Sequence, residues 1–178
     1  GCYATSVILA LGPLRAFTEG EATVVSTSGN SGARREAEET ADDIAYSFGH
    51  KHKHVPEMVR YTGVPANFTP IVLRSVFRGI NTNIRIKLQE PWASMSPEEA
   101  REQLEEAIRK AYVPADEISV VRDGGGILYG TAAVNNTNRA NIKINVDDGH
   151  AYINCCLDNL GKGAASQGIE NMKLMLGM

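Results

Sequence analysis

The fold is decided by the stretch ANIKINVDDGHAYINCCL, residues 140–157. Apolar and polar residues alternate on both sides of Asp148-Gly149, which is the pattern of two half-buried strands joined by a tight turn. The apolar positions are Ala140, Ile142, Ile144 and Val146 before the turn and Ala151, Ile153, Cys155 and Leu157 after it. This stretch therefore predicts an antiparallel hairpin with one apolar and one polar face.

Other segments extend and cover the predicted sheet. Residues 80–88 alternate in the same way, and residues 23–27 predict a further, short buried strand. A capping box at residues 96–99, with Pro at the first helical position, opens a helix whose apolar stripe continues to residue 111. We therefore predict an α+β fold in which helices cover a mainly antiparallel sheet.

Two more helices, two loops and an acidic stretch that is a solvated helix or loop complete the prediction. Apolar residues at helical spacing predict helices at residues 3–15 and 163–176. Residues 28–35 are rich in Gly and Ser and form a loop that can approach a ligand closely. Residues 36–43 are an acidic, solvated stretch, and residues 124–126 are a flexible glycine loop.

Length and composition limit the number of domains and the partners. A chain of 178 residues, 43% of them hydrophobic, can bury one core. The net charge of -3 gives no general attraction to nucleic acid or to anionic membranes. No run reaches the roughly 18 apolar residues of a membrane helix. Three cysteines form no evident disulfide framework, so we expect reduced thiols and a cytoplasmic location.

Cys2 is the first candidate for chemistry, because it stands where the first helix should begin. Free N–H groups at a helix start favour thiolate over thiol, which suits a nucleophile. The alternative is a small buried apolar residue, since free cysteines are often buried. Cys155 and Cys156 lie in a strand pattern and are interpreted as packing residues. Because the chain starts with Gly1 instead of Met, and Cys2 follows immediately, we expect it to be a piece of a longer protein.

Three of the four histidines fall in the segment HKHKHVPE, residues 50–57. One of them could pair with Cys2 as a proton acceptor or donor near neutral pH, and Glu57 could orient it. A solvated basic patch is an open alternative, because Lys51 and Lys53 lie between the histidines. The spacing of a closed zinc site is missing, so no metal is predicted.

Several basic residues are candidates for binding an anion. Arg34, Arg35, Arg78 and Lys162 could bind phosphate or carboxylate, although single basic residues beside glycine are common on surfaces. The sequence Gly161-Lys162-Gly163 matches only part of a dinucleotide fingerprint, and it follows a hairpin. We therefore predict no nucleotide-binding strand-turn-helix unit in this chain.

Four stretches, in order, resemble the N-acetyl-gamma-glutamyl-phosphate reductase family. They are GCYAT with ALGPL (residues 1–5 and 10–14), SGNSGA (28–33), HKHVPE (52–57) and DNLGKGAASQ (158–167), and RGI (78–80) is a shorter match. The resemblance implies a catalytic domain like those of glyceraldehyde-phosphate dehydrogenase and the semialdehyde dehydrogenases. It assigns residues 1–157 to a catalytic and dimerisation domain. Residues 158–178 would form a helix that packs on a nucleotide-binding domain missing from this chain.

The resemblance also implies roles for single residues. Cys2 would attack an acyl phosphate to give a thioester, which NADPH reduces, and His52 would be the catalytic histidine. The substrate-binding residues would be Ser28, Ser31, Gly32, His54, Glu57 and Arg78. Asn159, Lys162 and Gly163 would lie on the nicotinamide side.

The implied reaction is the reduction of N-acetylglutamyl 5-phosphate to the 5-semialdehyde in arginine biosynthesis, by a homo-oligomer that uses NADP. One alternative is a carrier-bound aminoadipyl phosphate in lysine biosynthesis. Another is a dimerising module without turnover, with the polar face of the sheet as the dimer contact. Two departures leave the acyl chain open: Arg34 replaces a common glycine, and no His follows Pro70.

Overall fold

The structure is a computed structural model that describes residues 1–32, 42–112, 116–124 and 129–178. Some predicted features fall outside these ranges. They are Arg34 and Arg35, residues 36–41 of the acidic stretch, and residues 125–126 of the glycine loop.

Within these described ranges, seven strands form one mixed sheet in the order β2-β3-β1-β4-β7-β6-β5. Their bounds are β1 Thr18–Gly29, β2 Ile44–Ala45, β3 Ala66–Leu73, β4 Ile80–Leu88, β5 Ile118–Val120, β6 Ala140–Asp147 and β7 His150–Leu157. The β1–β3 and β5–β6 pairs are parallel, and the other neighbouring pairs are antiparallel. The predicted mainly antiparallel α+β fold is confirmed.

The hairpin of β6 and β7 forms as the alternation predicts. Its register runs from Ala140 opposite Leu157 to Asp147 opposite His150. Asp148 and Gly149 both have positive φ, 44° and 66°, as a two-residue turn between twisted strands requires. Strand β4 pairs with the other edge of β7, with Ile84 opposite Ile153, so the apolar residues of three strands share one face.

In the part of the chain that the structure describes, four α-helices accompany the sheet, and two of them cover its apolar face. They are α1 Cys2–Leu11, α2 Val55–Thr62, α3 Pro97–Ala111 and α4 Ser166–Met175. Val7 and Leu11 of α1 and Leu104 and Ile108 of α3 are fully buried in the core. The predicted capping box of α3 is present, with reciprocal hydrogen bonds between Ser96 and Glu99.

The ends of two predicted elements differ from the structure. The first helix stops at Leu11 and continues as a 3₁₀ turn, Gly12–Phe17, because Pro13 cannot donate the next helical hydrogen bond. Strand β1 is longer than the predicted residues 23–27, since pairing with β4 extends it into a polar segment that carries no apolar signal.

Helix α2 and strand β3 were not predicted. Helix α2 has only two turns, and histidines and lysines precede it, so its apolar pattern is short. Strand β3 does alternate between buried and half-buried residues, but Pro70 interrupts the strand signal in the sequence. Within the described ranges, no helix is long and apolar enough to cross a membrane.

Candidate active site

Cys2 is the first residue of α1 and is half-buried. Burial raises the pKa of its thiol, and the backbone N–H of Tyr3 and the charge of Lys53 offset only part of this effect. The net shift is upward, so the helix start does not by itself give a thiolate. This differs from the expectation that the position alone favours the charged form.

Buried hydroxyl groups fix the position of α1 on the sheet. The Oγ of Ser6 lies 2.7 Å from Oγ1 of Thr82 in β4, which in turn lies 2.7 Å from Oγ of Ser26 in β1. Ser6 also donates to the carbonyl oxygen of Tyr3 at 2.8 Å. Because these groups are buried, each bond that is kept avoids the cost of an unpaired polar atom. Cys2 is therefore carried by a helix with a defined place on the sheet.

Gly163 packs directly against the cysteine. A Cβ atom built on Gly163 would lie 3.0 Å from Cβ of Cys2 and 3.1 Å from Cδ1 of Leu157. Gly163 belongs to a π-helical turn, Gly161–Ala165, that leads into α4. The absence of a side chain at this position lets the turn approach Cys2 closely.

His52 lies in the turn before α2 and is only 6% exposed. Four rings surround its imidazole with centroids 4.7 to 5.7 Å away, and they belong to Tyr3, Tyr46, His54 and Phe68. Tyr3 directly follows Cys2, so this ring contact brings His52 to the start of α1. Burial lowers the pKa of His52, and the positive charge of Lys53 lowers it further.

His54 and Glu57 lie beside Gly1. The Gly1 nitrogen lies 2.8 and 2.9 Å from the two carboxylate oxygens of Glu57. A Cβ atom on Gly1 would lie 2.2 Å from Nε2 of His54, so the imidazole rests against the backbone. Burial, together with His52, lowers the pKa of His54 to about 4. His54 is therefore neutral at pH 7.

Ser28, Ser31 and Gly32 lie at the end of β1 and in the 3₁₀ turn after it. Asn159 holds this turn in place, because its Nδ2 donates to Oγ of Ser31 at 3.0 Å. The Oδ1 of Asn159 accepts from the backbone nitrogen of Gly79 at 2.8 Å. One buried amide thus joins the end of β1 to the segments that precede β4 and follow β7.

Arg78 and Lys162 are both engaged in ion pairs. The Nε of Arg78 lies 3.3 Å from Oδ2 of Asp158, and its guanidinium also bonds to Asn136. Asp158 is 1% exposed and accepts from the backbone nitrogens of Asn136 and Leu160 at 2.6 and 2.9 Å. Lys162 is 3% exposed and pairs with Glu170. Arg78 keeps part of its side chain exposed, whereas Lys162 does not.

The structure brings most of the predicted residues to one region. Cys2 touches Gly163, Tyr3 joins the start of α1 to His52 and His54, and Ser31 joins Asn159. His50 lies apart, exposed, with its Nε2 at 2.7 Å from Oε1 of Glu21. Cys155 and Cys156 are buried, as predicted for packing residues. Among the described residues, no group of three or more His, Cys, Asp or Glu side chains is placed to hold a metal ion.

Residues 2–159 match the family described as semialdehyde dehydrogenase, dimerisation domain. The chain belongs to this family. Among curated proteins, it is 33% identical to the N-acetyl-gamma-glutamyl-phosphate reductase of Salinispora arenicola, over 100% of this chain and 53% of the relative. It is 36% identical to the reductase of that name from Chlorobaculum tepidum, over 99% of this chain and 54% of the relative. The resemblance found in the sequence is confirmed, and the chain spans about half the length of these relatives.

Solved structures share the fold of this semialdehyde dehydrogenase dimerisation domain. Aspartate semialdehyde dehydrogenase II from Vibrio cholerae matches with a TM-score of 0.73 at 17% identity, over 99% of this chain and 61% of that one. The aspartate semialdehyde dehydrogenase from Francisella tularensis also gives 0.73, at 13% identity, over 100% and 64%. At these identities the likeness establishes the architecture alone.

Three residues of the dimerisation domain join the site without having been predicted. Tyr3 is 4% exposed, and its hydroxyl lies near Ser28 and Tyr46. Tyr46 packs against His52 from the segment after β2, where the sequence gives no signal for it. Asp158 organises the turn that holds Arg78. The signal for Asp158 in the sequence was its place in the stretch at residues 158–167, which resembles the family.

Proposed function

We propose that this chain is the catalytic and dimerising part of a cytoplasmic, NADP-dependent acyl-phosphate reductase of arginine biosynthesis. The substrate would be N-acetylglutamyl 5-phosphate and the product the 5-semialdehyde. One observation carries the proposal: a half-buried cysteine starts α1, and the buried imidazole of His52 packs against the next residue. The names and identities of the curated relatives support the choice of substrate.

The chemistry requires a nucleophile and a group that stabilises charge on the acyl oxygen. The sulfur of Cys2 forms a bond to the acyl carbon, the bond from that carbon to the phosphate oxygen breaks, and the thiol proton leaves with the phosphate. A reduced nicotinamide cofactor, when bound, supplies the hydride that reduces the thioester carbon. The carbon–sulfur bond then breaks, which releases the aldehyde and leaves Cys2 as a thiolate, and a proton taken up from solvent restores the thiol before the next turnover.

The remaining predicted residues have places consistent with binding an anionic substrate. Arg78 keeps 27% of its side chain exposed, and a guanidinium suits a phosphate or a carboxylate. Ser28 lies at the end of β1, near the hydroxyl of Tyr3, and Ser31 and Gly32 lie in the 3₁₀ turn after it. His54 and Glu57 flank the start of α1. We propose that these groups bind the acyl chain and its phosphate.

The side chains of Asn159 and Lys162, two of the residues predicted on the nicotinamide side, bind other residues of the chain. Asn159 uses its amide on Ser31 and Gly79, and Lys162 pairs with Glu170. Gly163 lies against Cys2. We propose that Asn159, Lys162 and Gly163 line the surface beside Cys2. The apolar side chains of α4 and after it, among them Ile169 at 51% and Met172 at 52% exposed, would pack on the nucleotide-binding domain.

Replacing the nucleophile tests the proposal most directly. In the complete protein, Cys2→Ser should lower phosphate-dependent oxidation of the semialdehyde by at least about a thousandfold, as loss of a covalent nucleophile does. Cys156→Ser is the matched control, because Cys156 is also a free thiol but lies in β7. Full activity of Cys2→Ser would refute the proposal. The ratio of kcat/KM for acetylglutamyl and carrier-bound aminoadipyl phosphates separates the two substrates.

The polar face of the sheet is the proposed contact between two copies of the chain. Apolar and polar side chains together line a shallow groove there: Thr23, Val25, Asn83, Arg85, Tyr152 and Asn154. Val25 and Tyr152 are 36% and 43% exposed on this face. Arg85→Glu should shift the mass in sedimentation from dimer to monomer, whereas Lys110→Glu on α3 should not. A dimer unchanged by Arg85→Glu would place the interface elsewhere.

A further inference from the structure

Arg78, Asp158 and Asn136 meet at one end of the sheet, beside three neighbouring strands. Arg78 lies two residues before β4, Asp158 directly follows β7, and Asn136 lies in the turn before β6. The first residue of β4 and the first residue of β6 both lie opposite Leu157, the last residue of β7. The pairing of the three strands therefore brings together side chains that are far apart in the sequence.

The carboxylate of Asp158 is the centre of this group and is buried, with the residue 1% exposed. Its Oδ1 accepts from the backbone nitrogens of Leu160 and Gly161 at 2.9 and 3.1 Å. Its Oδ2 accepts from the backbone nitrogen of Asn136 at 2.6 Å and lies 3.3 Å from Nε of Arg78, which is also buried. A buried carboxylate requires such partners, so Asp158 has a fixed position and holds Arg78 by charge.

Asn136 holds the guanidinium at a second point. Its Oδ1 accepts from Nη1 of Arg78. Nε and Nη1 of Arg78 thus contact two different residues, while 27% of the side chain stays exposed. A free arginine side chain samples many rotamers, and two contacts select among them. The charge of Arg78 is therefore held in a defined place.

The main chain beside Arg78 is bonded to the turn that follows β1. The nitrogen of Asn30 donates to the carbonyl of Val76 at 2.9 Å, and the nitrogen of Ser31 donates to the carbonyl of Phe77 at 3.0 Å. Ser31 is one of the residues proposed to bind the substrate. The backbone of Arg78 is therefore fixed next to this turn.

The main chain of Asp158 leads to the nucleophile. Its carbonyl oxygen accepts from the nitrogen of Gly163 at 2.8 Å. A Cβ atom on Gly163 would lie 3.0 Å from Cβ of Cys2. Asp158 thus pairs with Arg78 through its carboxylate and holds, through its carbonyl, the glycine that contacts Cys2.

We propose that Asp158 is a positioning residue, which aligns the guanidinium of Arg78 to bind an oxyanion of the substrate beside Cys2 and does not itself touch the substrate. The proposal rests on the proposed function for its substrate. The oxyanion is a phosphate or a carboxylate, since a guanidinium binds either group through paired N–H donors. A side chain that is already held in place loses less conformational freedom when the anion binds, so the affinity is higher.

A double-mutant cycle in the complete protein tests whether Asp158 acts through Arg78. Asp158→Asn keeps an oxygen for the backbone nitrogens of Leu160 and Gly161 but carries no charge for Arg78. In phosphate-dependent oxidation of the semialdehyde, we expect one KM to rise about tenfold to a hundredfold, as for a displaced binding group. We expect kcat to change by less than about threefold, because the contact binds ground state and transition state alike.

The KM that rises identifies the oxyanion: that of phosphate for a phosphate site, that of the semialdehyde for a carboxylate site. In the Arg78→Ala background, Asp158→Asn should raise this KM no further, because the group through which it acts is gone. An equal rise in both backgrounds, or a fall in kcat at unchanged KM, would overturn the proposal.

Glu105→Gln is the matched control, because Glu105 is also a buried carboxylate paired with arginines but lies on α3. It should leave both KM values unchanged, and a rise equal to that of Asp158→Asn would overturn the proposal.

Asn136→Gly serves if Asp158→Asn does not fold. It removes the contact with Nη1 of Arg78, and glycine adopts the φ of 62° found at this position without strain. We expect the same KM to rise at least about threefold, as for a lost hydrogen bond to a charged group. An unchanged KM in this variant would contradict the proposal.

Anion binding without turnover separates this proposal from the proposed function. Isothermal titration of the complete protein uses inorganic phosphate as one probe and N-acetylglutamate, a carboxylate, as the other. We expect one of them to bind, and Asp158→Asn to weaken it at least about tenfold when Arg78 is present. This result in a protein without reductase activity would keep the role of Asp158 and remove the proposed function. Binding of neither probe, or binding that Asp158→Asn leaves unchanged, would overturn the role of Asp158.

Discussion

Ile153 in β7 and Gly163 in the turn after that strand belong to two regions whose contacts differ in kind. Ile153 lies opposite Ile84 on one side and Ile144 on the other, and it is 2% exposed. Its contacts are apolar and non-directional, so they contribute to stability in proportion to buried area. Gly163 contacts Cys2 through its backbone alone, and this contact sets how closely the turn approaches Cys2. The contacts within the sheet therefore mainly stabilise the fold, whereas the turn mainly fixes the position of Cys2.

The largest effect should come from the sheet. Ile153→Ala removes buried methyl groups and leaves a cavity, which should lower the free energy of unfolding by about 2–5 kcal/mol. Urea unfolding of the complete protein measures it. At temperatures where the variant is folded, kcat should stay close to that of the original chain, because β7 contributes no group to the reaction.

The matched change is Lys110→Ala, at an exposed position of α3 away from the proposed dimer contact. Exposed substitutions of this kind usually cost no more than about 0.5 kcal/mol. Equal losses for Ile153→Ala and Lys110→Ala would show that burial does not set the size of the loss.

The second effect should be on rate. The Cβ atom of Gly163→Ala would lie 3.0 Å from Cβ of Cys2, so the cysteine or the turn must move by a few tenths of an ångström. Such small displacements of a reacting group reduce rates by up to about a hundredfold. We expect kcat to fall tenfold to a hundredfold, which corresponds to a rise of about 1.4–2.7 kcal/mol in activation free energy. The free energy of unfolding should change much less.

Gly168→Ala is the control for this change. Gly168 lies in α4, and a Cβ atom there would meet nothing within 4 Å. Gly168→Ala should keep full activity. Its free energy of unfolding should rise by up to about 1 kcal/mol, because alanine has a higher helix propensity than glycine. A fall in kcat for Gly168→Ala equal to that for Gly163→Ala would mean that the distance to Cys2 is not the cause.

The same contrast explains what the sequence could predict. Strands β4, β6 and β7 and helix α3 have alternating or helical patterns of sufficient length, and a capping box marks the start of α3, so local residues determine them. The sequence also indicated Cys2, because a helix start is a local feature. Its raised pKa was not foreseen, since burial depends on the packing of distant segments.

The contacts of the candidate site depend on residues far apart in the chain. The Asn159 amide joins Ser31 to Gly79, and Tyr46 meets His52 only after β2 and β3 pair. No periodicity encodes such contacts. The family resemblance indicated most of the site residues, and for Tyr46 neither the resemblance nor the pattern gave a signal.

The prediction with the smallest expected effect concerns the contribution of Glu105 to stability, which should depend on pH. Glu105 of α3 is 0% exposed and accepts hydrogen bonds from Arg122 and Arg109 at 2.8 and 2.9 Å. Burial alone would raise its pKa, but these bonds outweigh burial and the pKa is lowered. A carboxylate whose pKa is lower in the folded chain stabilises the fold above its unfolded pKa of about 4.3, and this contribution is lost as the pH falls through the folded pKa.

Glu105→Gln should therefore cost about 1–3 kcal/mol in the free energy of unfolding at pH 7, since it removes the charge that the two arginines bind. Both arginines are nearly half exposed, at 45% and 47%, so solvent screening favours the lower end of this range. The difference in the free energy of unfolding between Glu105→Gln and the original chain should narrow below about pH 4, as the carboxyl group of the original chain takes up a proton. At pH 7 kcat/KM should be unchanged, because Glu105 lies on α3, away from Cys2 and His52. A change in kcat/KM at pH 7 would show that the two regions are coupled.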